Sequence, residues 1–163
     1  MISLIMPLLF TLALALAFTP STPHVEFKSL PAEPLKKTDP RSPRELKGKV
    51  ILVDFWASWC EPCKEALPHY NRLYKKYKDQ GLIIMGINED EDSKERDLFL
   101  KTHVLDFPIY TDKEKAMVQN FKVQALPSLF VFDRNMKAVA LYRGFSPEKL
   151  ESLEKKIQDL LNK

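Results

Sequence analysis

The sequence is short of the residues that most often bind metals or cross-link small folds. Its 163 residues include only two cysteines and three histidines. Two cysteines are too few for a disulfide-rich scaffold or for a zinc site with four thiolate ligands. Charge is also nearly balanced, with 25 basic and 22 acidic residues interspersed, so an extended nucleic-acid-binding face is not expected. The chain contains no internal repeat and no low-complexity tract.

An apolar segment without charged residues covers residues 2–18. Its small-residue sequence Ala15-Leu16-Ala17 is typical of a secretory signal peptide that is cleaved after Ala17. No lysine or arginine precedes the segment, and its length approaches that of a bilayer-spanning helix, so an uncleaved anchor is the alternative. A lipoprotein anchor is excluded because no cysteine follows the segment. We expect residues 1–18 to be a signal peptide or membrane anchor and the protein to be extracytoplasmic, in the periplasm or at the outer face of the cytoplasmic membrane.

The next segment, residues 19–43, contains six prolines and is predicted to form an extended linker or N-terminal extension. Within it, residues 25–30 alternate apolar and polar side chains as a short edge strand would. Residues 44–163 then suffice for one domain with its own hydrophobic core.

Two apolar runs in this domain, residues 49–56 and 82–88, are typical of buried parallel strands. Residues 61–80 lie between them with helical spacing and end at Gly81, so these elements predict a βαβ unit.

An insert of helical and extended character follows at about residues 89–123. In it, Asp92 is expected to cap a helix whose inner face includes Leu98 and Phe99. An antiparallel hairpin over residues 128–143 and a final amphipathic helix complete the predicted order.

The two cysteines, Cys60 and Cys63, lie where the first buried strand runs into the helix. Thiols with this spacing can close a small disulfide, and a helix N-terminus can hold the first one as a thiolate. The pair could also supply half of a zinc site or a static structural disulfide. Zinc is disfavoured because His69 should lie on a different helix face, and so tight a loop contributes little to stability as a static cross-link.

Several residues around this pair, taken as a set, resemble the thioredoxin superfamily. They are Asp54 six residues before Cys60, Trp59 beside it, Pro68 eight residues after it, and Leu126-Pro127 before the third long strand. The Glu61-Pro62 dipeptide, the N-terminal segment and the insert are similar to the extracytoplasmic TlpA/ResA branch, whose members are often reductants in cytochrome c maturation. The resemblance covers about residues 25–161 and implies an α/β thioredoxin-like fold with a central mixed β-sheet flanked by helices.

The resemblance implies a catalytic role for four residues, Cys60, Cys63, Asp54 and Pro127. Cys60 would attack a client disulfide as the more exposed thiolate, and Cys63 would resolve the mixed disulfide. Asp54 would lie beneath the thiols and take the proton of Cys63, unless it occupies a solvated strand edge. The redox-active disulfide would be the working group, and neither a metal nor another cofactor is expected.

Besides the catalytic Pro127, four residues would bind or support the client: Trp59, Glu61, Pro62 and Leu126. Pro127 would be a cis proline packed against the disulfide, the alternative being an ordinary trans proline at the start of a strand. The backbone of Leu126 could then pair with an extended client segment. Trp59 is expected to shield the redox pair and contact partners.

The Glu61-Pro62 dipeptide bears on the direction of electron flow. An acidic residue beside Cys60 disfavours its thiolate, and a less stabilised thiolate makes the disulfide less oxidising. We therefore expect a protein-disulfide reductase, with a disulfide oxidase or isomerase as the alternative and a copper-binding chaperone as the non-enzymatic competitor. We expect the protein to be a monomer. Its expected partners are a disulfide-bearing client protein and a thiol-type electron donor in the membrane, and no nucleic acid is expected to bind.

Two positions depart from the family pattern. Ala66 stands where ResA-like proteins often carry a glutamate near the active site. The sequence Met85-Gly86-Ile87 lacks the lysine that pairs with the buried aspartate in some thioredoxins. Roles that depend on those two side chains therefore do not transfer to this chain.

Overall fold

The computed structural model describes residues 25, 27, 30–36, 38–40 and 42–163. The segment predicted to be a signal peptide or anchor lies outside this part of the chain. The strands are β1 (Glu33–Pro34), β2 (Val50–Trp56), β3 (Leu82–Asn88), β4 (Ile109–Thr111), β5 (Ser128–Phe132) and β6 (Ala138–Arg143). The helices are α1 (Pro43–Leu46), α2 (Glu61–Tyr77), α3 (Ser93–Thr102), α4 (Ala116–Phe121) and α5 (Pro147–Leu161). Within the described ranges, no helix combines the length and apolarity needed to cross a bilayer.

The strands form one mixed sheet in the order β1-β4-β3-β2-β5-β6. β2 runs parallel to β3, and β3 runs parallel to β4. β5 is antiparallel to β2, and β6 returns antiparallel to β5 as a hairpin. The predicted βαβ unit, hairpin and α/β class are therefore confirmed, with the two long apolar runs side by side at the centre.

Side chains of β2 alternate between the two faces of the sheet, and both faces are covered. One face packs beneath α2 and α5 and includes Val50, Leu52 and Trp56. The other packs against α4 and includes Ile51, Val53 and Phe55. This two-sided burial explains why the run is continuously apolar. By the same alternation, Asp54 lies on the face that α2 covers.

Helix α2 begins directly after Cys60, which has extended backbone dihedrals and acts as the N-cap. Pro62 occupies the first turn, where its missing N–H costs no hydrogen bond. A 3₁₀ turn over Lys78–Gln80 extends the helix to Gly81, whose φ of 104° is left-handed. Glycine is favoured there because other residues meet a steric penalty in that conformation.

The insert forms α3, β4 and α4, as predicted in type. The carboxylate of Asp92 accepts a hydrogen bond from the backbone N–H of Lys94 at 2.8 Å, which confirms the predicted cap. Phe99 is buried, but the prediction that Leu98 also faces inward is wrong, because its side chain is 66% exposed. Consecutive helical residues point about 100° apart, and the buried face of α3 continues from Phe99 to Arg96 instead.

Part of the predicted linker joins the folded unit. Phe27 is buried, with its ring centroid 5.8 Å from that of Phe121 and 5.4 Å from that of Phe132. The edge strand expected at residues 25–30 is wrong at the described positions, where Val25, Phe27 and Leu30 are not in a strand. The edge is instead β1, which pairs antiparallel with β4.

Gly86 explains why β3 cannot carry a lysine beside Asp54. It is the register partner of Asp54 in β3. A Cβ atom at this position would lie 2.8 Å from Ile109 Cδ1, 3.0 Å from Phe107 Cε2 and 3.1 Å from Trp56 Nε1. Those distances are below ordinary van der Waals contact, so a longer side chain would require the surrounding core to repack.

Candidate active site

Cys60 and Cys63 form a disulfide, with their Cα atoms 5.2 Å apart. The backbone N–H of Cys63 lies 3.3 Å from Cys60 Sγ and 3.0 Å from the Cys60 carbonyl oxygen. Cys60 is 5% exposed and Cys63 is 1% exposed. Cys60 is therefore the outer sulfur, as expected, although both are buried in the disulfide form.

Trp59 and the two residues between the cysteines form the exposed rim of this site. Trp59 is 62% exposed, so it presents a large apolar surface to solvent. Glu61 and Pro62 are exposed as well. The carboxylate of Glu61 is paired with Lys64 Nζ at 2.6 Å. That neighbouring ammonium group opposes the effect of Glu61 on the Cys60 thiolate.

Asp54 is a buried carboxyl group without a partner among the described residues. It is 1% exposed, and neither carboxylate oxygen has a hydrogen bond. The alternative of a solvated strand edge is therefore wrong. Burial raises the pKa of Asp54 from 3.8 to about 8, because a charge without water or a counter-ion is costly at this depth.

The surroundings of Asp54 connect it to the cysteines. Cys63 belongs to the same buried cluster as Leu52 and Trp56, which flank Asp54 on that face of β2. Tyr70 of α2 lies close enough that the charge of Asp54 adds to burial in raising the tyrosine pKa. With a pKa near 8, Asp54 can accept or release a proton close to neutral pH.

The peptide bond between Leu126 and Pro127 is cis, as predicted. β5 starts at the next residue, Ser128, which pairs in register with Phe55 of β2. Cys60 follows the C-terminal end of β2. The pairing of Ser128 with Phe55 therefore places Pro127 near the same end of β2 as the disulfide. The Pro127 carbonyl oxygen accepts a hydrogen bond from Gly144 N at 2.8 Å, and the Ser128 hydroxyl donates one to Ala125 O at 2.7 Å.

Asp90 is a site residue that the sequence analysis missed. Its buried carboxylate accepts hydrogen bonds from the backbone N–H of Ser58 at 3.0 Å and from the Ser58 hydroxyl at 3.0 Å. The side-chain amide of Asn88 donates a further bond at 2.8 Å. These contacts fix the turn two residues before Cys60 to the end of β3.

A sequence signal for Asp90 existed. Carboxyl ends of adjacent parallel strands meet at one edge of a sheet, so the residues after β3 lie beside the turn after β2. Within the acidic run over residues 89–92, Asp92 caps α3, whereas Asp90 holds the turn after β2.

Histidines outside the site have structural contacts. His103 stacks on Phe99 with ring centroids 4.1 Å apart, and His69 contacts the ring of Phe145. In the part of the chain that the structure describes, no three histidine, cysteine or acidic side chains are grouped so as to hold a metal ion.

Known proteins are similar to this chain in sequence and in fold. The sequence profile of the AhpC/TSA family matches residues 25–140. The thiol-disulfide oxidoreductase ResA of Bacillus thuringiensis subsp. konkukian is 35% identical over 115 residues, which cover 70% of this chain and 66% of that protein. ResA of Bacillus subtilis is 32% identical over 106 residues, covering 65% of this chain and 59% of that protein. The chain thus spans slightly less than two thirds of the length of these relatives.

Solved structures agree on the fold. A putative thiol:disulfide interchange protein DsbE from Chlorobium tepidum superimposes with a TM-score of 0.78 at 29% identity, covering 88% of this chain and 99% of that one. The thioredoxin domain of a thiol-disulfide oxidoreductase from Bacteroides vulgatus gives a TM-score of 0.71 at 22% identity, with 85% and 99% coverage. The fold is therefore thioredoxin-like.

The buried Asp54 predicts an unusual dependence of stability on pH. Its native pKa is about 8, whereas an unfolded aspartate titrates near roughly 3.9. Between these values the unfolded state loses its proton and the native state keeps it, so the free energy of unfolding falls as pH rises from about 4 to 8 and then levels. Asp54→Asn should lack this loss, and its stability relative to the wild type should grow by a few kcal/mol over that range.

Urea unfolding of the oxidised protein at pH 5, 6.5 and 8 measures the effect. Asp79→Asn removes an exposed carboxylate and should follow the wild type at each pH. Parallel pH profiles for Asp54→Asn and the wild type would show that Asp54 is ionised in the native state.

The contacts of Asp90 predict that it protects the turn before Cys60. Asp90→Ala removes both acceptors of Ser58, so the Ser58 amide should exchange with solvent at least about tenfold faster, consistent with the roughly 1–3 kcal/mol that such charge-assisted bonds contribute. Hydrogen exchange followed by mass spectrometry of the peptide containing residues 56–60 reports this change.

Asp90→Asn keeps an acceptor oxygen and should restore part of the protection. Asp92→Ala removes only the cap of α3 and serves as the control. Equal exchange at Ser58 in Asp90→Ala and in the wild type would mean that the turn holds its conformation without Asp90.

Proposed function

Because the chain belongs to the AhpC/TSA family, we propose that it is an extracytoplasmic thiol–disulfide oxidoreductase that reduces disulfides of client proteins. The observation that carries the proposal is the Cys60–Cys63 disulfide at the N-terminus of α2. Pro127 next to the end of β2 and the buried Asp54 within β2 support it. Relatives that are 35% and 32% identical to this chain over 115 and 106 aligned residues are named thiol-disulfide oxidoreductases.

The reaction starts from the dithiol form. The Cys60 thiolate, favoured by the N-terminus of α2, attacks one sulfur of the client disulfide and expels the other as a thiolate. Cys63 then loses its proton and attacks Cys60 Sγ in the mixed disulfide, which releases the second client sulfur. The products are the Cys60–Cys63 disulfide and a reduced client. Two electrons pass to the client, whose two thiolates take up the proton released by Cys63 and one proton from solvent, because Cys60 starts as a thiolate.

In its ionised form, which is the minor form at neutral pH because its pKa is about 8, Asp54 serves as the proton acceptor for Cys63 in this scheme. Cys63 is the more buried thiol, and it must become a thiolate before it can resolve the intermediate. A carboxyl group whose pKa is raised by burial to about 8 is much closer to the pKa of a thiol than an ordinary carboxylate is. Proton transfer from Cys63 to Asp54 is therefore less uphill.

Reduction is the proposed direction because the acidic residue Glu61 stands beside Cys60. The opposing charge of Lys64 at 2.6 Å weakens this effect, so an oxidase or isomerase is the alternative that a redox potential decides. Residues 2–18 would deliver the protein to the outer side of the membrane or anchor it there. The oxidised enzyme would regain electrons from a membrane thiol donor, and cytochrome c maturation is the proposed setting.

A trapping experiment tests the exchange mechanism. Reduced Cys63→Ala should stop at the mixed disulfide and accumulate a covalent adduct with oxidised insulin, because no second thiol remains to resolve it. Non-reducing electrophoresis and mass spectrometry measure the adduct and its site of attachment.

Cys60→Ala is the matched control and should form at least about tenfold less adduct, since Cys63 is buried at the inner position. Equal adduct formation by the two variants would contradict the assignment of Cys60 as the nucleophile.

The redox potential tests the direction. Equilibration with dithiothreitol or glutathione buffers should give a value nearer the about −270 mV of thioredoxin than the about −120 mV of the strong oxidant DsbA. Glu61→Gln should raise the potential by favouring the Cys60 thiolate, and Lys64→Gln should lower it by leaving Glu61 unpaired. A wild-type value near that of DsbA would replace the reductase by the oxidase alternative.

A further inference from the structure

A groove of about 690 Å³ opens beside the disulfide. Its boundaries include Trp59, which precedes Cys60, and Leu126, which precedes Pro127. The groove therefore lies next to the residues that precede the outer cysteine and the cis proline, where a client segment can lie while its disulfide is at Cys60.

The two sides of the groove differ in chemistry. Trp59, Val118, Val123, Ala125 and Leu126 supply an apolar side. Four acidic residues, Glu89, Glu91, Asp92 and Glu95, line the groove together with a single basic residue, Lys115. The whole chain carries a formal charge of +3, so this concentration of negative charge is local and opposite in sign to the protein as a whole.

Glu89 lies within the groove as a buried and incompletely paired acid. It is 8% exposed. Lys115 Nζ donates to its Oε2 at 3.1 Å and to its backbone carbonyl oxygen at 2.8 Å. The other carboxylate oxygen, Oε1, is buried and has no hydrogen-bond partner among the described residues. A buried acceptor of this kind is costly until a donor reaches it.

We propose that this groove binds an extended client segment that carries a lysine or arginine close to its disulfide cysteine, with an apolar residue against Trp59 and Leu126. The exposed carboxylates of Glu91 and Glu95 attract the cationic group, and the buried, incompletely paired carboxylate of Glu89 lines the same groove. Lys115 already neutralises one carboxylate, so the remaining acidic residues leave a net negative groove. The inference rests on the proposed reductase function and specifies its substrate class.

Matched peptide substrates test the charge preference. Each is a disulfide-linked homodimer of Ala-Leu-Cys-Ala-Xaa-Ala, acetylated and amidated, with lysine, glutamine or glutamate as Xaa. The reduced full-length protein should reduce the lysine peptide roughly fivefold or more faster than the glutamate peptide at low salt, as expected for a few exposed charge contacts. The ratio should approach one at about 0.5 M salt, where the Debye length is short.

Two charge-matched variants locate the effect. Glu91→Gln with Glu95→Gln should bring the lysine-to-glutamate ratio towards one, while leaving Asp92 to cap α3. Asp79→Asn with Glu151→Gln changes the net charge equally at exposed sites outside the groove, and should retain the wild-type ratio. The salt dependence of the wild type supplies an independent readout that needs no variant.

The outcomes are distinct. Equal rates for the lysine and glutamate peptides would overturn the charge preference and leave the reductase function standing. Failure to reduce any of the three peptides or insulin would overturn the proposed function and this inference with it. A dimer in sedimentation equilibrium that dissociates in Glu91→Gln with Glu95→Gln would assign the groove to a second copy of the chain and contradict the peptide proposal.

Discussion

Cys60 is both the first sulfur of the redox pair and the N-cap of α2, at the point where the central strand β2 ends. Its sulfur and its carbonyl oxygen both lie within hydrogen-bond distance of the Cys63 backbone N–H. In the dithiol form the same N–H group and the helix dipole favour a thiolate at Cys60. This electrostatic effect decays within the first helical turn, so it requires that the turn between β2 and α2 hold Cys60 in a fixed position. Burial on both faces fixes the position of β2, and the Asp90–Ser58 contacts fix the turn that follows it.

Asp54 lowers the stability of the native state because it is an acidic residue within β2, the strand that is buried on both faces. A carboxyl group there is tolerated because it keeps its proton at neutral pH, where the pKa of about 8 holds it mostly neutral. Gly86 next to it leaves no space for a counter-ion, since Ile109 and Phe107 already fill the volume that a side chain would need. The cost is therefore not relieved by a neighbour, and the same isolation gives Asp54 a proton affinity close to that of a thiol.

Local patterns sufficed for much of this structure and failed where distant segments meet. The strand at residues 49–56 was predictable from its apolar run. The helix after Cys60 was predictable from its spacing of apolar residues and from Gly81 at its end. The cis bond at Pro127 and the role of Asp54 came from resemblance, since no local pattern specifies either. Asp90 was missed because its role depends on β3 lying beside β2. The orientation of Leu98 was predicted wrongly because an apolar side chain does not by itself show which face of a helix is buried. The Glu61–Lys64 pair had a visible signal in its i,i+3 spacing.

The acidic groups near the disulfide have opposite effects on the reducing strength of the dithiol and on the rate at which it attacks a client. Burial raises the pKa of Glu89 to about 7, and the Lys115 ammonium only partly opposes it. Glu89 and Asp54 therefore both gain negative charge as pH rises through 7 and 8. Negative charge near a thiol disfavours its thiolate, which makes the dithiol a stronger reductant and leaves less of the nucleophile that must attack. A client with a positive charge in the groove offsets the second effect during the encounter and leaves the potential of the free enzyme unchanged. If the couple is reducing, as proposed, charge complementarity in the groove would allow it to react quickly with clients that carry the matching charge.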